Sequence, residues 1–205
     1  MSHSNKKNHV WMTTKRVETL VDGIFAIAMT LLVLNIDVPQ ITGHVTDPLL
    51  WQYLVNLSNQ LYIYAFSFAL LASFWKANHH QFFYIRESDS TLIWITIIWL
   101  MFVALVPFST NFVSDYGSHK VPMLFFNFNM LFIGIFFSLN WAYVTRKEYF
   151  IEGMTKKKIN QVKNLNYILP FVAIIAIGLT FITPMLSPFS YFLLIFLRRF
   201  KNYYN

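Results

Sequence analysis

Apolar residues fall in long runs along this chain, separated by short polar stretches that hold most of the charge. A bilayer-spanning helix needs roughly 20 mostly apolar residues. Runs of that kind predict helices at about 17–38, 50–75, 91–113, 122–145 and 165–184. A last run, "PFSYFLLIFLRRF", predicts a shorter sixth helix at about 187–200. Pro39 and Pro48 bracket the first loop, and Asp115-Tyr116-Gly117-Ser118 makes a tight turn ahead of helix 4. Pro122 suits a first helical position, and Pro184 and Pro188 mark a turn before the final helix. The pattern reads as an all-α integral membrane protein, residues 1–205 forming a single six-helix transmembrane domain.

Charge orients these helices, because Lys and Arg near helix ends are retained on the cytoplasmic side. Lys6, Lys7, Lys15 and Arg16 precede helix 1, and Lys76 and Arg86 follow helix 2. Arg146, Lys147, Lys156, Lys157, Lys158 and Lys163 separate helices 4 and 5, and Arg198, Arg199 and Lys201 close the chain. Lys120 alone falls on the other side. Both termini are therefore expected in the cytoplasm, a partition that an odd helix count would spoil.

Composition narrows the function. Hydrophobic residues make up 56% of the chain and charged residues 12%, against about a quarter charged in soluble domains. No room is left for a separate catalytic domain. The absence of cysteine excludes thiolate metal sites, disulfides and Cys nucleophiles. The start, "MSHSNKKNHVWMTTKR", is basic, and the apolar run behind it is too long for a signal peptide and lacks a small-residue cleavage site, so helix 1 is expected to stay in the mature protein. The net charge of +7 follows from topology and from attraction to anionic inner-leaflet lipid. The Lys-rich "MTKKKINQVK" lacks the stacking aromatics of a nucleic-acid groove, and no nucleic-acid partner is expected.

The chemistry concentrates on helix 1. At 100° per residue Ile27, Leu31 and Leu34 share one stripe, Thr30 lies beside it, and Asp22 sits about a turn nearer the cytoplasm. The stripe is free of aromatics in a chain with 22 Phe. Ordinary helix or lipid contacts would satisfy the same periodicity, and Thr30 can bond back to the Ala26 carbonyl as Thr does in membrane helices. An ionisable group in a span costs a few kcal/mol and needs a partner. Arg16 is too far round the helix to pair with Asp22 in place, whereas Trp75, His79 and His80 lie at the same depth on helix 2. A polar cluster of Arg16, Asp22, Trp75 and one histidine would bind helix 1 to helix 2. Adjacent histidines diverge by 100°, so both cannot reach one partner, although a protonated one beside Asp22 could alter helix 1. No zinc motif is present. An enzyme would need converging nucleophile, acid and base, and no motif supplies them. A transporter would want acidic residues at mid-span, and none occurs there.

Three stretches carry a resemblance. "RVETLVDGIFAIAMTLLVL" resembles the first helix of bacterial relatives of the endolysosomal potassium channel, the transmembrane protein 175 family. The family's motif runs Arg-x-x-x-Phe-Ser-Asp and then Phe-Ala-Ile-Ala-Ile-Thr-Leu-Leu-Val-Leu. Arg16, Asp22 and Phe25 to Leu34 match, with Met29 at an Ile position, while Leu20 and Val21 stand where the family has Phe and Ser. "FWKANHHQFF" resembles the family's Trp-x-x-x-His-His-x-x-Phe end of helix 2, and "LVPFST" its Pro-Phe-Ser-Thr end of helix 3.

The resemblance implies a homotetramer of six-helix subunits in a prokaryotic inner membrane, with helix 1 of each lining a central pore. Potassium would be the permeant ion, with no cofactor and no Thr-Val-Gly-Tyr-Gly filter. On that mapping Ile27 forms the narrow constriction, Leu31 and Leu34 add apolar rings, and Thr30 is a candidate polar layer. Arg16, Asp22, Trp75, His79 and His80 would hold the pore helix rather than touch the ion. The implied function is a potassium-preferring cation channel. The alternative is a cation- or proton-coupled membrane transporter.

Overall fold

The computed structural model describes residues 13–37 and 43–194. Helix α1, Thr14–Leu31, tightens into a 3-10 turn at Leu32–Asn35. Helices α2, Asp47–Asn56, and α3, Ser58–Phe82, meet at a bend of 46°. Helices α4, Ser90–Ala104, and α5, Val106–Tyr116, follow one another closely, and α6 runs unbroken over Lys120–Lys147. Helices α7, Lys156–Asn166, and α8, Ile168–Ile182, lead into a 3-10 helix at Pro184–Tyr191.

The chain is thus an all-α, multi-pass membrane protein. Among the described residues, Thr14–Asn35, Ser90–Tyr116, Lys120–Lys147 and Lys156–Ile182 are each long and apolar enough to cross a bilayer, and the bent α2–α3 pair adds a fifth if it is one span. Of the sixth run expected at 187–200, residues 195–200 lie outside the described residues. Its beginning is 3-10 rather than α-helical. Pro188, inside that stretch, has no N–H to give an α-helical bond.

Proline also explains where single expected helices divide. The span expected at 91–113 breaks at Leu105, just before Val106 and Pro107. The span expected at 165–184 starts earlier, at Lys156, because Thr155 caps the Lys-rich segment: its hydroxyl accepts from the Lys158 N–H at 3.3 Å. That helix breaks at Tyr167, three residues before Pro170. Pro170 cannot donate to the Asn166 carbonyl, and Ser138 Oγ does so instead at 3.2 Å.

The core lies around α6, which packs on α8 and α4. Gly134 permits the closest approach: a Cβ there would stand 2.6 Å from Pro170 Cδ and 2.8 Å from its nitrogen. Trp99 fills the adjoining space, its ring 5.5 Å from Phe25 and 5.6 Å from Phe137. Through this stack α4 backs α1.

Buried polar side chains tie the helices together. Asn127 donates to Thr180 at 2.9 Å and to Ser187 at 2.6 Å, and accepts from the Tyr191 hydroxyl at 2.9 Å. Asn140 donates to Thr96 at 2.9 Å, and Asn166 donates to Gln81 at 2.9 Å. At the end of the bundle that carries most of the Lys and Arg, called here the basic end, two connections pair through an antiparallel bridge between Ile85 and Phe150. Asp89 fastens them, accepting from the Leu92 N–H at 2.9 Å, the Tyr143 hydroxyl at 2.5 Å and the Tyr149 hydroxyl at 3.2 Å. Burial opposes its charged form, but these hydrogen bonds and the Lys147 charge outweigh it and hold the Asp89 carboxyl below the ordinary carboxylate value.

Candidate functional site: the two faces of helix α1

Helix α1 divides cleanly. Val17, Val21, Phe25, Ala28 and Leu32 are all buried, and their spacing of three and four residues makes one stripe. That stripe packs on α3 and α4. The other side is uncovered within the subunit: Ile27 is 57% exposed, Leu31 41% and Leu34 73%. Leu20, Gly23, Ala26 and Thr30 lie exposed with them. From Leu20 to Leu34 this exposed stripe carries no aromatic ring and no charged side chain. Thr30 turns its hydroxyl inward, donating to the Ala26 carbonyl at 3.0 Å and the Ile27 carbonyl at 2.9 Å.

Each end of the helix is pinned by a polar contact. Toward the basic end, the Trp75 indole N–H donates to Asp22 Oδ1 at 2.8 Å. The His79 ring stacks on Trp75 with centroids 6.1 Å apart and an interplanar angle of 23°. Toward the other end, Asn35 Nδ2 donates to the Pro107 carbonyl at 3.0 Å, which joins the 3-10 turn to α5. The Tyr53 hydroxyl donates to the Asp37 carbonyl and draws α2 to the same place.

The structure therefore brings together Asp22, Trp75 and His79. It leaves His80 apart, its Nε2 3.4 Å from the Tyr84 hydroxyl, and Arg16 exposed with no ion pair among the described residues. Sequence reasoning missed the Asn35 contact and the buried network around Asn127. The signal for the second was present: Asn127, Asn129 and Asn140 interrupt an otherwise apolar α6. Among the described residues no group of three or more His, Asp or Glu side chains is placed to hold a metal.

A family model described as the endosomal/lysosomal potassium channel TMEM175 matches residues 16–107. A potassium channel of Streptomyces collinus is 30% identical over 179 residues, covering 84% of this chain and 84% of that protein. The chain belongs to the TMEM175 potassium-channel family. A potassium channel of Chamaesiphon minutus is likewise 30% identical over 185 residues, covering 85% of this chain and 87% of that one. The crystal structure of a lysosomal potassium-selective channel TMEM175 homolog from Chamaesiphon minutus superposes with a TM-score of 0.74 at 27% identity, over 92% of this chain and 98% of that one.

Membership places the chain among ion channels rather than enzymes, as a multi-pass protein of a prokaryotic inner membrane. The stretch that matches the TMEM175 family model contains α1 from Arg16 onward and both of its pins, Asp22 to Trp75 and Asn35 to Pro107. The Asn127 network lies outside it.

Proposed function

We propose that this TMEM175-family protein is a potassium-preferring cation channel: a homotetramer whose six-helix subunits, each one domain over residues 1–205, keep both termini in the cytoplasm and set helix α1 around a central axis. The observation that carries this reading is the uncovered, ring-free face of α1, with Ile27, Leu31 and Leu34 in line. One subunit cannot enclose a pore with it, whereas four copies around an axis can. The potassium channels of Streptomyces collinus and Chamaesiphon minutus support the choice of ion.

Four Ile27 side chains around an axis form a constriction that holds water out and gates by dewetting. Leu31 and Leu34 extend the dry neck, and a small rotation or dilation of α1 opens it. A tight, poorly coordinating neck favours the ion that sheds its hydration more readily, which is potassium over sodium. Thr30, with its hydroxyl on the helix's own carbonyls, softens the wall beside Ile27. Asp22 and Trp75, with His79 stacked behind them, fix the base of the helix and do not touch the ion. Arg16 and His80 lie at this same end without joining the Asp22 contact, and neither touches the ion.

The test is potassium flux into proteoliposomes under a potassium gradient, repeated with sodium. Wild type is expected to conduct potassium. Ile27→Asn is expected to enlarge the flux and erode the discrimination, since a polar ring wets the neck. Absence of flux in both proteins would return α1 to a packing element.

A further inference from the structure

At the end opposite the basic one, α3, α5, α6 and the 3-10 helix Pro184–Tyr191 leave a cavity of about 410 Å³ between them. That is the size range of small-molecule sites, roughly 300–1,000 Å³. No residue of α1 lines it, so it is separate from the face assigned to ion passage.

The lining has three parts. Aromatic rings make the walls: Tyr62 and Phe66 from α3, Phe126 from α6 and Phe189 from the 3-10 helix. The floor is polar, with buried Thr110 donating to buried Ser67 at 3.0 Å. At the rim stands Asp115, exposed and without a hydrogen bond or ion pair among the described residues.

The walls are held in place. Phe66 and Phe126 both meet the buried Tyr191 ring edge-on, with centroids 6.3 and 6.0 Å away, and the Tyr191 hydroxyl is bonded to Asn127 at 2.9 Å. A site that exists before its ligand arrives loses little free energy to ordering it. Aromatic walls pack well against a ligand's ring, and an unpaired carboxylate at the mouth supplies the counter-charge for a cation. An anion would meet Asp115 as a like charge. A neutral apolar molecule would use the walls and gain nothing from the rim.

We propose that this cavity binds a small amphipathic monocation, an arylalkyl amine, with its ring between the Phe66 and Phe126 walls and its ammonium at Asp115. The site does not depend on the ion-conducting role proposed above, and its test reads binding rather than flux.

The experiment titrates the purified full chain, in an uncharged detergent at neutral pH, with phenethylamine and with its uncharged counterpart 2-phenylethanol, following binding by saturation-transfer NMR. Phenethylamine is expected to bind about fivefold more tightly than the alcohol. Asp115→Asn, a change at an exposed helix end, should abolish that preference while leaving the alcohol unaffected. Met185→Trp, which places an indole at the cavity mouth, should weaken both ligands. Equal binding of amine and alcohol, an amine preference that survives Asp115→Asn, or binding indifferent to Met185→Trp would each overturn the proposal.

Discussion

Helix α1 and the α6–α8 pair solve opposite problems with similar materials. Between α6 and α8 the packing is close: Gly134 admits Pro170, and Asn127 finds Thr180 on α8 and Ser187 and Tyr191 on the 3-10 helix behind it. On α1 only one stripe is finished, and the other, around Ile27 and Leu34, stays open. The polar groups differ in the same way. The Asn127 and Asn140 amides of α6 join helix to helix, while the Thr30 hydroxyl bonds to the helix's own carbonyls and leaves the open face without a fixed partner. A subunit built so keeps its rigidity in the α6–α8 half and reserves one apolar surface for another use.

Four substitutions or conditions press on this contrast. The largest effect is expected from Gly134→Val. Its added side chain drives into Pro170, and overpacking of this kind costs about 3 kcal/mol, to be read as a lowered unfolding midpoint in detergent. Asn127→Leu comes next. It strands the Ser187 and Tyr191 hydroxyls, while Thr180 keeps its bond to the Ala176 carbonyl, and should cost about 2 kcal/mol, with the same readout. Trp75→Phe removes one hydrogen bond to Asp22, worth about 1 kcal/mol. Asp22→Ala should cost less when added to Trp75→Phe than when made alone, a double-mutant cycle that isolates the pair. If Trp75→Phe destabilised the fold as severely as Gly134→Val, the contrast between a closed half and an open helix would fail.

The smallest effect concerns acid. The Asp89 carboxyl titrates below its ordinary value, so its contribution to stability is complete above the unfolded value of about 3.9 and is lost as pH falls through the lower folded value. Thermal scans of wild type and Asp89→Asn should therefore converge in acid below pH of about 4 and separate above it.

Much of this arrangement was legible in the sequence. Apolar run length located α1, the α4–α5 span and α6 to within a few residues, because a bilayer sets one length for all of them. Depth in the membrane also brought Asp22 and Trp75 together, since both sit at the same end of neighbouring helices. Other features were hidden for physical reasons. Lys156 to Lys163 reads as a loop by charge, yet a single Thr155 cap suffices to start α7 there. Pro107 and Pro170 were visible, but a run of apolar residues does not tell a straight helix from a broken one. The asparagines of α6 were visible as polar interruptions, but the partners of Asn127 were not, because residues 53 to 64 positions apart leave no periodic trace.

The two contacts at the ends of α1 have a mechanical consequence. Asp22 and Asn35 are thirteen residues apart, about 20 Å at 1.5 Å per residue, and each is tied to a different neighbour. The segment between them behaves as a string fastened at both posts. It can bow or roll about its long axis, but it cannot slide lengthwise without breaking a fastening. Ile27, Thr30 and Leu31 sit along the free length, where sideways travel is greatest, and Leu34 sits against a post, where it is least.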